Sequence, residues 1–203
     1  MINKEEVTGV ILAAGKSGRM GKWKPLMQYQ GKSFLQSILE KLLPVCNSVI
    51  IVTGAHHERL AAFGKVTDVM LAHNEKFEHG MLSSLQTGLS EVKTEFTLYH
   101  FIDQPHLPHD FYPDFLQFAS RDANWIQPQY LNRAGHPMLI RKDVIPYILN
   151  AKPDMMLREI RSHEGIIRGT VDLPYPEILQ DIDTPEDYQK YLNGSAIEPS
   201  PVP

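Results

Sequence analysis

Glycines and cationic side chains are concentrated in one stretch near the amino terminus, residues 10–26, which reads VILAAGKSGRMGKWKPL. Three glycines and four Lys or Arg residues fall within ten positions, directly after an apolar run. Glycine permits turns that aim several backbone N–H groups at one anion, and the cations supply positive charge. The spacing therefore predicts a loop that binds phosphate groups.

Two familiar phosphate-binding motifs do not describe this loop. The Walker A motif requires a glycine five positions before Gly-Lys-Ser/Thr, whereas Gly15 lies six positions before Gly21, and Trp23 follows Lys22. The dinucleotide fingerprint ending at Gly21 would require glycine at position 16, which is Lys16. The alternatives that remain are a different phosphate loop and a glycine-rich surface turn with solvated lysines.

Two carboxylates stand where a metal ion could join bound phosphate. Asp103 ends the apolar run of FIDQP, and Asp183 lies in DIDTPEDY. Mg²⁺ takes one or two carboxylates together with phosphate oxygens, so this pair is a candidate metal site. Each residue also has a plain explanation, because an aspartate often caps a turn and Thr184 with Pro185 is a typical helix start.

Two further segments carry polar groups at the expected ligand edge. Gly80 precedes a helix bearing Ser84, where a helix amino terminus could receive an anion. His136 stands at the entry to a strand in RAGHPMLI. The alternatives are a small-residue helix face that packs on a sheet and a structural histidine.

The composition is that of a single soluble domain. The chain has 203 residues, of which 42% are hydrophobic and 22% charged, and its net charge of −4 lacks the basic excess of nucleic-acid-binding proteins. Cys46 is the only cysteine, which excludes an intrachain disulfide. No run approaches the roughly 20 apolar residues of a membrane span. We expect a cytoplasmic protein with neither nucleic-acid nor membrane partners.

Apolar, β-rich runs alternate with stretches of helical period, which indicates an α/β fold. Runs such as VILAA and VIIV lack polar alternation, as in parallel strands covered on both faces. We predict a three-layer Rossmann-like sandwich with a mostly parallel sheet and ligands at the carboxyl ends of its strands. The predicted strands are 9–13, 48–53, 68–72, 96–102, 125–129 and 137–140. The predicted helices are 33–43, 57–63, 81–92, 113–120, 142–150, 154–163 and 185–192. Residues 1–193 are predicted to form the domain, and residues 194–203 a disordered tail.

Taken in order, LAAGKSGRMGKWK, GMLSSLQTGL, DQP, GHP and DIDTPEDY resemble the nucleotidyltransferases of molybdenum-cofactor biosynthesis, the molybdopterin cytidylyl- and guanylyltransferases. The resemblance covers about residues 7–188 and implies the nucleotidyltransferase form of the sandwich, related to the GT-A fold. It also implies attack of a substrate phosphate on the α-phosphorus of a nucleoside triphosphate, with pyrophosphate leaving. Such chemistry requires mainly in-line positioning and neutralisation of phosphate charge, which agrees with the residues above.

The resemblance also implies roles for single residues. Lys24 would contact the α-phosphate and Arg19 the β- and γ-phosphates, and with Asp103 they would be the catalytic residues. Asp103 and Asp183 would hold Mg²⁺, the implied cofactor, and His136 would face the acceptor. The implied nucleotide-binding residues are Leu12, Ala13, Ala14, Gly15, Ser17, Gly18, Arg19, Gly21, Lys24, Gly80 and Ser84.

Ala13 and Ala14 favour one branch of the family, because guanylyltransferases typically read Leu-Ala-Gly-Gly at this point. The implied reaction transfers CMP from CTP to a molybdopterin-bound molybdenum cofactor, which a molybdenum hydroxylase client would use. The alternatives are a guanylyltransferase of the same family and a sugar- or polyol-phosphate nucleotidyltransferase. A maturation chaperone that binds nucleotide or cofactor without turnover is a third, and release of pyrophosphate would distinguish it.

Overall fold

The computed structural model describes residues 1–193, and the predicted tail at 194–203 lies outside the described residues. In chain order the strands are β1 (Val7–Leu12), β2 (Gln28–Tyr29), β3 (Lys32–Ser33), β4 (Ser48–Thr53), β5 (Val69–His73), β6 (Phe96–Phe101), β7 (Trp125–Tyr130), β8 (Arg133–Ala134), β9 (Met138–Arg141) and β10 (Arg168–Asp172). The α-helices are α1 (Phe34–Leu42), α2 (Met81–Leu89), α3 (Phe111–Phe118), α4 (Ile145–Leu149), α5 (Leu157–Ile160) and α6 (Pro185–Leu192).

The main sheet has the order β10-β7-β9-β6-β1-β4-β5, with β8 paired to β7. β1 lies in the interior of the sheet between β4 and β6 and is parallel to both, and β5 and β10 are parallel to their neighbours. β9 is antiparallel to both β6 and β7. Only seven residues join β7 to β9, too few for the crossover that a parallel pair requires. The mostly parallel sheet is confirmed, and β1, β4, β6 and β7 end at one edge.

β1 is covered on both faces, as its unbroken apolar run predicts. All six residues of β1 are buried: Val7 and Ile11 belong to one core, while Val10 and Leu12 belong to the other. In α2, a Cβ added to Gly88 would lie 2.7 Å from Val10 Cγ1, so glycine is what allows this helix to approach the sheet closely. The predicted three-layer sandwich is confirmed.

Several predicted helices are shorter than expected. The helix predicted at 57–63 is wrong, since the chain forms two 3-10 turns, His57–Leu60 and Phe63–Lys65, with a glycine in the second. Two other predicted helices, 142–150 and 154–163, contract to α4 and α5, and a proline in the first turn of α4 lacks the N–H that would extend the regular helix. β10 was not predicted, because its sequence RGTVD has a single buried residue and no apolar run. No helix within residues 1–193 is long and apolar enough to cross a membrane.

Candidate active site

The glycine-rich loop begins at the carboxyl end of β1, between the ends of β6 and β4. Backbone hydrogen bonds tie its start to β4 and the residues after it, from Ala13 N to Val52 O at 2.9 Å and from Ala55 N to Ala14 O at 3.3 Å. The loop then makes a 3-10 turn at Gly18–Met20. The residues that lead from β1 into the loop are all buried: Leu12, Ala13 and Ala14.

The glycines of the loop serve two different purposes. Gly21 has a φ of 65° and ends the 3-10 turn in the left-handed region, where glycine is favoured. Left-handed φ values in the loop occur at Ser17 and Gly21, and Gly15 and Gly18 do not adopt them. A Cβ on Gly15, Gly18 or Gly21 would meet no atom of the described chain within 4 Å. These glycines instead leave the backbone open to a ligand.

Ser17 positions Lys24 from within the loop. Its Oγ accepts a hydrogen bond from the Lys24 backbone N–H at 3.1 Å, while Trp23 Nε1 donates to Gly15 O at 3.2 Å. These bonds fold the second half of the loop back on the first. The Lys24 side chain, 9% exposed, is consequently buried beneath the loop.

Four residues selected from the sequence meet beneath this loop. Lys24 Nζ lies 2.5 Å from Asp183 Oδ1 and 3.3 Å from Asp103 Oδ2. Arg19 Nη1 lies 2.9 Å from Asp183 Oδ2. The fold therefore joins cations from the amino-terminal loop with carboxylates 79 and 159 positions from Lys24 in the chain.

The two carboxylates are held together by bonds between their backbone segments. Ile182 N donates to Asp103 O at 3.0 Å, and the buried Gln104 amide donates to Gln180 O at 3.3 Å. Gln104 was not singled out from the sequence, although its place beside Asp103 at a strand end is a usable signal. It bridges the β6 end and the segment that precedes α6.

Asp183 keeps its place because α6 begins directly after it. Thr184 is the N-cap of α6, and its Oγ1 accepts from Asp187 N at 3.1 Å, with Pro185 at the first helical position. The Asp187 carboxylate accepts in turn from Asp183 N at 3.2 Å. The capping interpretation is confirmed, and it coexists with the ion pairs of Asp183.

Burial raises the pKa of the Asp103 carboxyl, opposed by Lys24 and reinforced by the nearby Asp183. Within residues 1–193, Asp103 Oδ1 is buried and has no hydrogen-bond partner. An unsatisfied carboxylate oxygen and a second carboxylate beside it are oxygen ligands of the kind that Mg²⁺ prefers. The described part of the chain has no group of three or more His, Cys, Asp or Glu that could hold a metal. An ion at the two carboxylates would therefore complete its coordination with oxygens of substrate or water.

Gly80 and Ser84 lie at the amino end of α2, on the side of the glycine-rich loop away from Asp103. Gly80 is the N-cap with a φ of 93°, and a Cβ there would meet nothing within 4 Å in the described chain. Ser84 is 5% exposed and accepts a hydrogen bond from Asn74 Nδ2 at 3.0 Å. Asn74, missed in the sequence, directly follows β5 at the same sheet edge. Contact of Gly80 and Ser84 with nucleotide stays a prediction.

An exposed ion pair links the two loops around this space. Lys16 Nζ lies 2.6 Å from Glu78 Oε1, and the ammonium lies 5.5 Å from the Phe77 ring centroid. Both partners are largely exposed, so the pair contributes little to stability. It brings the glycine loop near the segment before Gly80.

His136 lies between β8 and β9, at the same edge as Asp103. Its ring packs edge-on against Phe101 at a centroid distance of 4.6 Å. Burial lowers the pKa of His136 to about 4, so the imidazole is neutral near pH 7. Its Nδ1 is buried without a hydrogen-bond partner in residues 1–193, so it is an unsatisfied polar atom at this sheet edge.

The amino-acid sequence of this chain matches a known protein family. The sequence model described as the MobA-like NTP transferase domain matches residues 9–167. The chain belongs to this family. The match contains the glycine-rich loop, Asp103 and His136, while Asp183 lies beyond its end.

Relatives of this MobA-like NTP transferase agree with that assignment. The chain is 30% identical to the molybdenum cofactor cytidylyltransferase of Escherichia coli strain K12, over 88% of this chain and 92% of that protein. It is 27% identical to a probable molybdenum cofactor guanylyltransferase of Flavobacterium johnsoniae, over 72% of this chain and 75% of the relative. A solved nucleotidyl transferase from Methanothermobacter superposes with a TM-score of 0.77 at 18% identity, over 93% of this chain and 96% of the other. That last similarity establishes the fold.

Proposed function

We propose that this MobA-like NTP transferase uses Mg²⁺ to transfer CMP from CTP to a molybdopterin-bound molybdenum cofactor, with release of pyrophosphate. The observation that carries the proposal is the meeting of Lys24 and Arg19 with Asp103 and Asp183 beneath an open glycine loop. A site of this kind offers cations for phosphate oxygens and carboxylates for a divalent metal.

The reaction forms one P–O bond and breaks another. The terminal phosphate oxygen of the acceptor attacks the α-phosphorus of CTP, and the bond between the α-phosphorus and the bridging oxygen breaks as pyrophosphate leaves. Lys24 neutralises charge on the α-phosphate, and Arg19 on the departing β- and γ-phosphates. The attacking phosphate is already anionic, so the step requires no general base. A metal held by Asp103 and Asp183 would supply Lewis-acid stabilisation of the phosphate oxygens.

The glycine loop positions the triphosphate through its backbone. Gly15, Gly18 and Gly21 leave it open, and the Ser17 hydroxyl keeps Lys24 in register. The positioned N–H groups need no reorganisation during the reaction. We assign Gly80 and Ser84, at the amino end of α2, to contact with the ribose or base of the nucleotide.

His136 supports an acceptor site on the opposite flank of Asp103. Because β9 pairs with β6, the residue just before β9 stands next to the end of the strand that carries Asp103. The neutral imidazole of His136 carries no positive charge, so it would not retain the product by attracting its phosphate groups. Its ring nitrogens can instead form hydrogen bonds with a molybdopterin-type substrate.

CTP is favoured over GTP by Ala13 and Ala14 and by the name of the 30% identical relative. The 27% identical relative keeps guanylyl transfer as the second candidate. Thermal denaturation with CTP, GTP, ATP or UTP and Mg²⁺ separates them, since a ligand that binds only the native state raises the midpoint. We expect a selective shift with CTP.

Catalysis is tested by pyrophosphate release with CTP and molybdopterin-bound molybdenum. A selective shift with GTP would reassign the nucleotide, and one with UTP or ATP would favour a sugar- or polyol-phosphate substrate. Nucleotide binding without pyrophosphate release would instead support a maturation chaperone for a molybdenum hydroxylase.

A further inference from the structure

Lys24 occupies the space between the two carboxylates assigned to the metal. Its ammonium lies 2.5 Å from Asp183 Oδ1 and 3.3 Å from Asp103 Oδ2. Arg19 takes the remaining Asp183 oxygen at 2.9 Å. In this state three of the four carboxylate oxygens face a cation of the protein, and Asp103 Oδ1 alone has no hydrogen-bond partner within residues 1–193.

We propose that Lys24 excludes a free divalent cation from the Asp103 and Asp183 pair, so that the site accepts metal only together with nucleotide. A divalent ion between these carboxylates would lie within a few ångströms of a buried ammonium, where charge repulsion is weakly screened. Without nucleotide, an ammonium that turned away would lose its ion pairs with both carboxylates and gain no anion in exchange. This selectivity rests on the proposed function, which supplies the triphosphate.

A bound triphosphate removes the obstacle by giving both cations a second partner. The loop glycines leave open space at the phosphate position, and the Lys24 backbone is fixed to Ser17 Oγ, so a change in side-chain direction is sufficient. Arg19 is 77% exposed and leaves Asp183 at small cost. Once the ammonium turns to phosphate, the carboxylate oxygens become available to the metal. Nucleotide and metal therefore raise each other's affinity, by equal factors as linkage requires.

This role predicts an effect opposite in sign to that of a lysine that only binds phosphate or only supports the fold. Removing such a lysine would leave the affinity for metal alone unchanged or lower it. Removing an excluding lysine raises that affinity. The measurement is therefore a titration with Mn²⁺ in the absence of nucleotide. The electron paramagnetic resonance signal of free Mn²⁺ reports how much metal is bound.

We expect Lys24→Met to bind Mn²⁺ alone at least about tenfold more tightly than the wild-type protein, since one unit charge is removed within 4 Å of both carboxylates. CTP should strengthen Mn²⁺ binding strongly in the wild type and much less in the variant. Lys22→Met is the matched control, because it removes the same charge from an exposed position of the same loop. It should leave Mn²⁺ binding without nucleotide unchanged.

Two further variants identify the carboxylates as the source of the gain. The double variant Lys24→Met with Asp183→Asn should lose the increase in Mn²⁺ affinity. Arg19→Met, at a side chain that is 77% exposed, should bind Mn²⁺ alone a few-fold more tightly than the wild type. If Lys24→Met does not fold, Lys24→Gln provides the same test, because it removes the charge and keeps a hydrogen-bond donor for the two carboxylates. Unchanged Mn²⁺ affinity in folded Lys24→Gln would overturn the proposal.

Tight Mn²⁺ binding by the wild type without nucleotide would overturn the exclusion, as would a folded Lys24→Met variant with unchanged affinity. The proposed function fails differently. A wild type that excludes free Mn²⁺ and binds it with CTP, yet releases no pyrophosphate with the acceptor, would refute cytidylyl transfer and leave the exclusion supported.

Discussion

Asp103→Asn should separate activity from stability more sharply than any other change at the site. The substitution keeps the size of the side chain and one acceptor for Lys24, whose Nζ is 3.3 Å from Asp103 Oδ2 and is also paired with Asp183 at 2.5 Å. It removes a charge that burial disfavours, as the raised pKa of Asp103 indicates. The folded protein therefore loses little and escapes a desolvation cost.

The expected change in stability is small and upward. Each kcal/mol shifts the midpoint of a domain of this size by about 2–4 °C, so we expect a melting temperature between unchanged and about 4 °C higher. Metal-dependent turnover should fall at least about 100-fold, because the proposed metal would lose one of its two carboxylate ligands.

The assay pairs pyrophosphate release at saturating CTP, acceptor and Mg²⁺ with thermal denaturation of the same preparation. Asp110→Asn is the matched control, an exposed aspartate seven residues further along the chain, and should retain activity. Undiminished turnover in Asp103→Asn would remove Asp103 from the metal site. A drop of 8 °C or more, about 2 kcal/mol, would show that its ion pair is chiefly structural.

Three further substitutions and conditions test the fold and its electrostatics. Lys24→Ala should reduce turnover and also cost about 2–4 kcal/mol in a denaturant titration, because a buried cation is removed from two carboxylates; a variant as stable as the wild type would contradict the buried pairs. Burial lowers the pKa of His100 to about 3 and of His106 to about 4, so the unfolded chain binds more protons below pH 6.5. Stability should therefore fall from pH 6.5 towards pH 4, by about 1.4 kcal/mol per pH unit for each histidine; His106→Phe should flatten this slope in urea titrations, and an unchanged slope would refute the assignment. Gly88→Ala should destabilise the protein by about 1–3 kcal/mol through overpacking against Val10, 2.7 Å from the added Cβ, and a neutral effect by calorimetry would show that α2 can shift.

The central part of the fold could be predicted because its signals are local. β4 has the predicted bounds, and β1 and β6 are buried apolar runs close to those predicted. Short connecting helices were less predictable, since one or two turns of α-helix and of 3-10 helix have nearly the same sequence pattern. β10 could not be recognised, because it is stabilised by pairing with β7 rather than by apolar residues of its own.

The candidate site shows the same division between local and long-range information. Arg19, Lys24, Asp103 and Asp183 could be selected from residue type and position at strand or helix ends. Gln104 and Asn74 could not be assigned a role, because their partners lie in other parts of the chain: Ile178 and Gln180 for one, and Ser83 and Ser84 for the other.

The sequence by itself determined the α/β class, the covered inner strands, the glycine-rich loop with its cations and the residue types available for chemistry. Periodicity, glycine spacing and charge are properties of neighbouring residues. Only the tertiary structure decided that Lys24 is buried and lies between Asp103 and Asp183. That arrangement depends on the order of the strands and on the hydrogen bond from Ile182 to Asp103 across the chain. Distances between residues 79 and 159 positions apart are set by packing, which no local pattern contains.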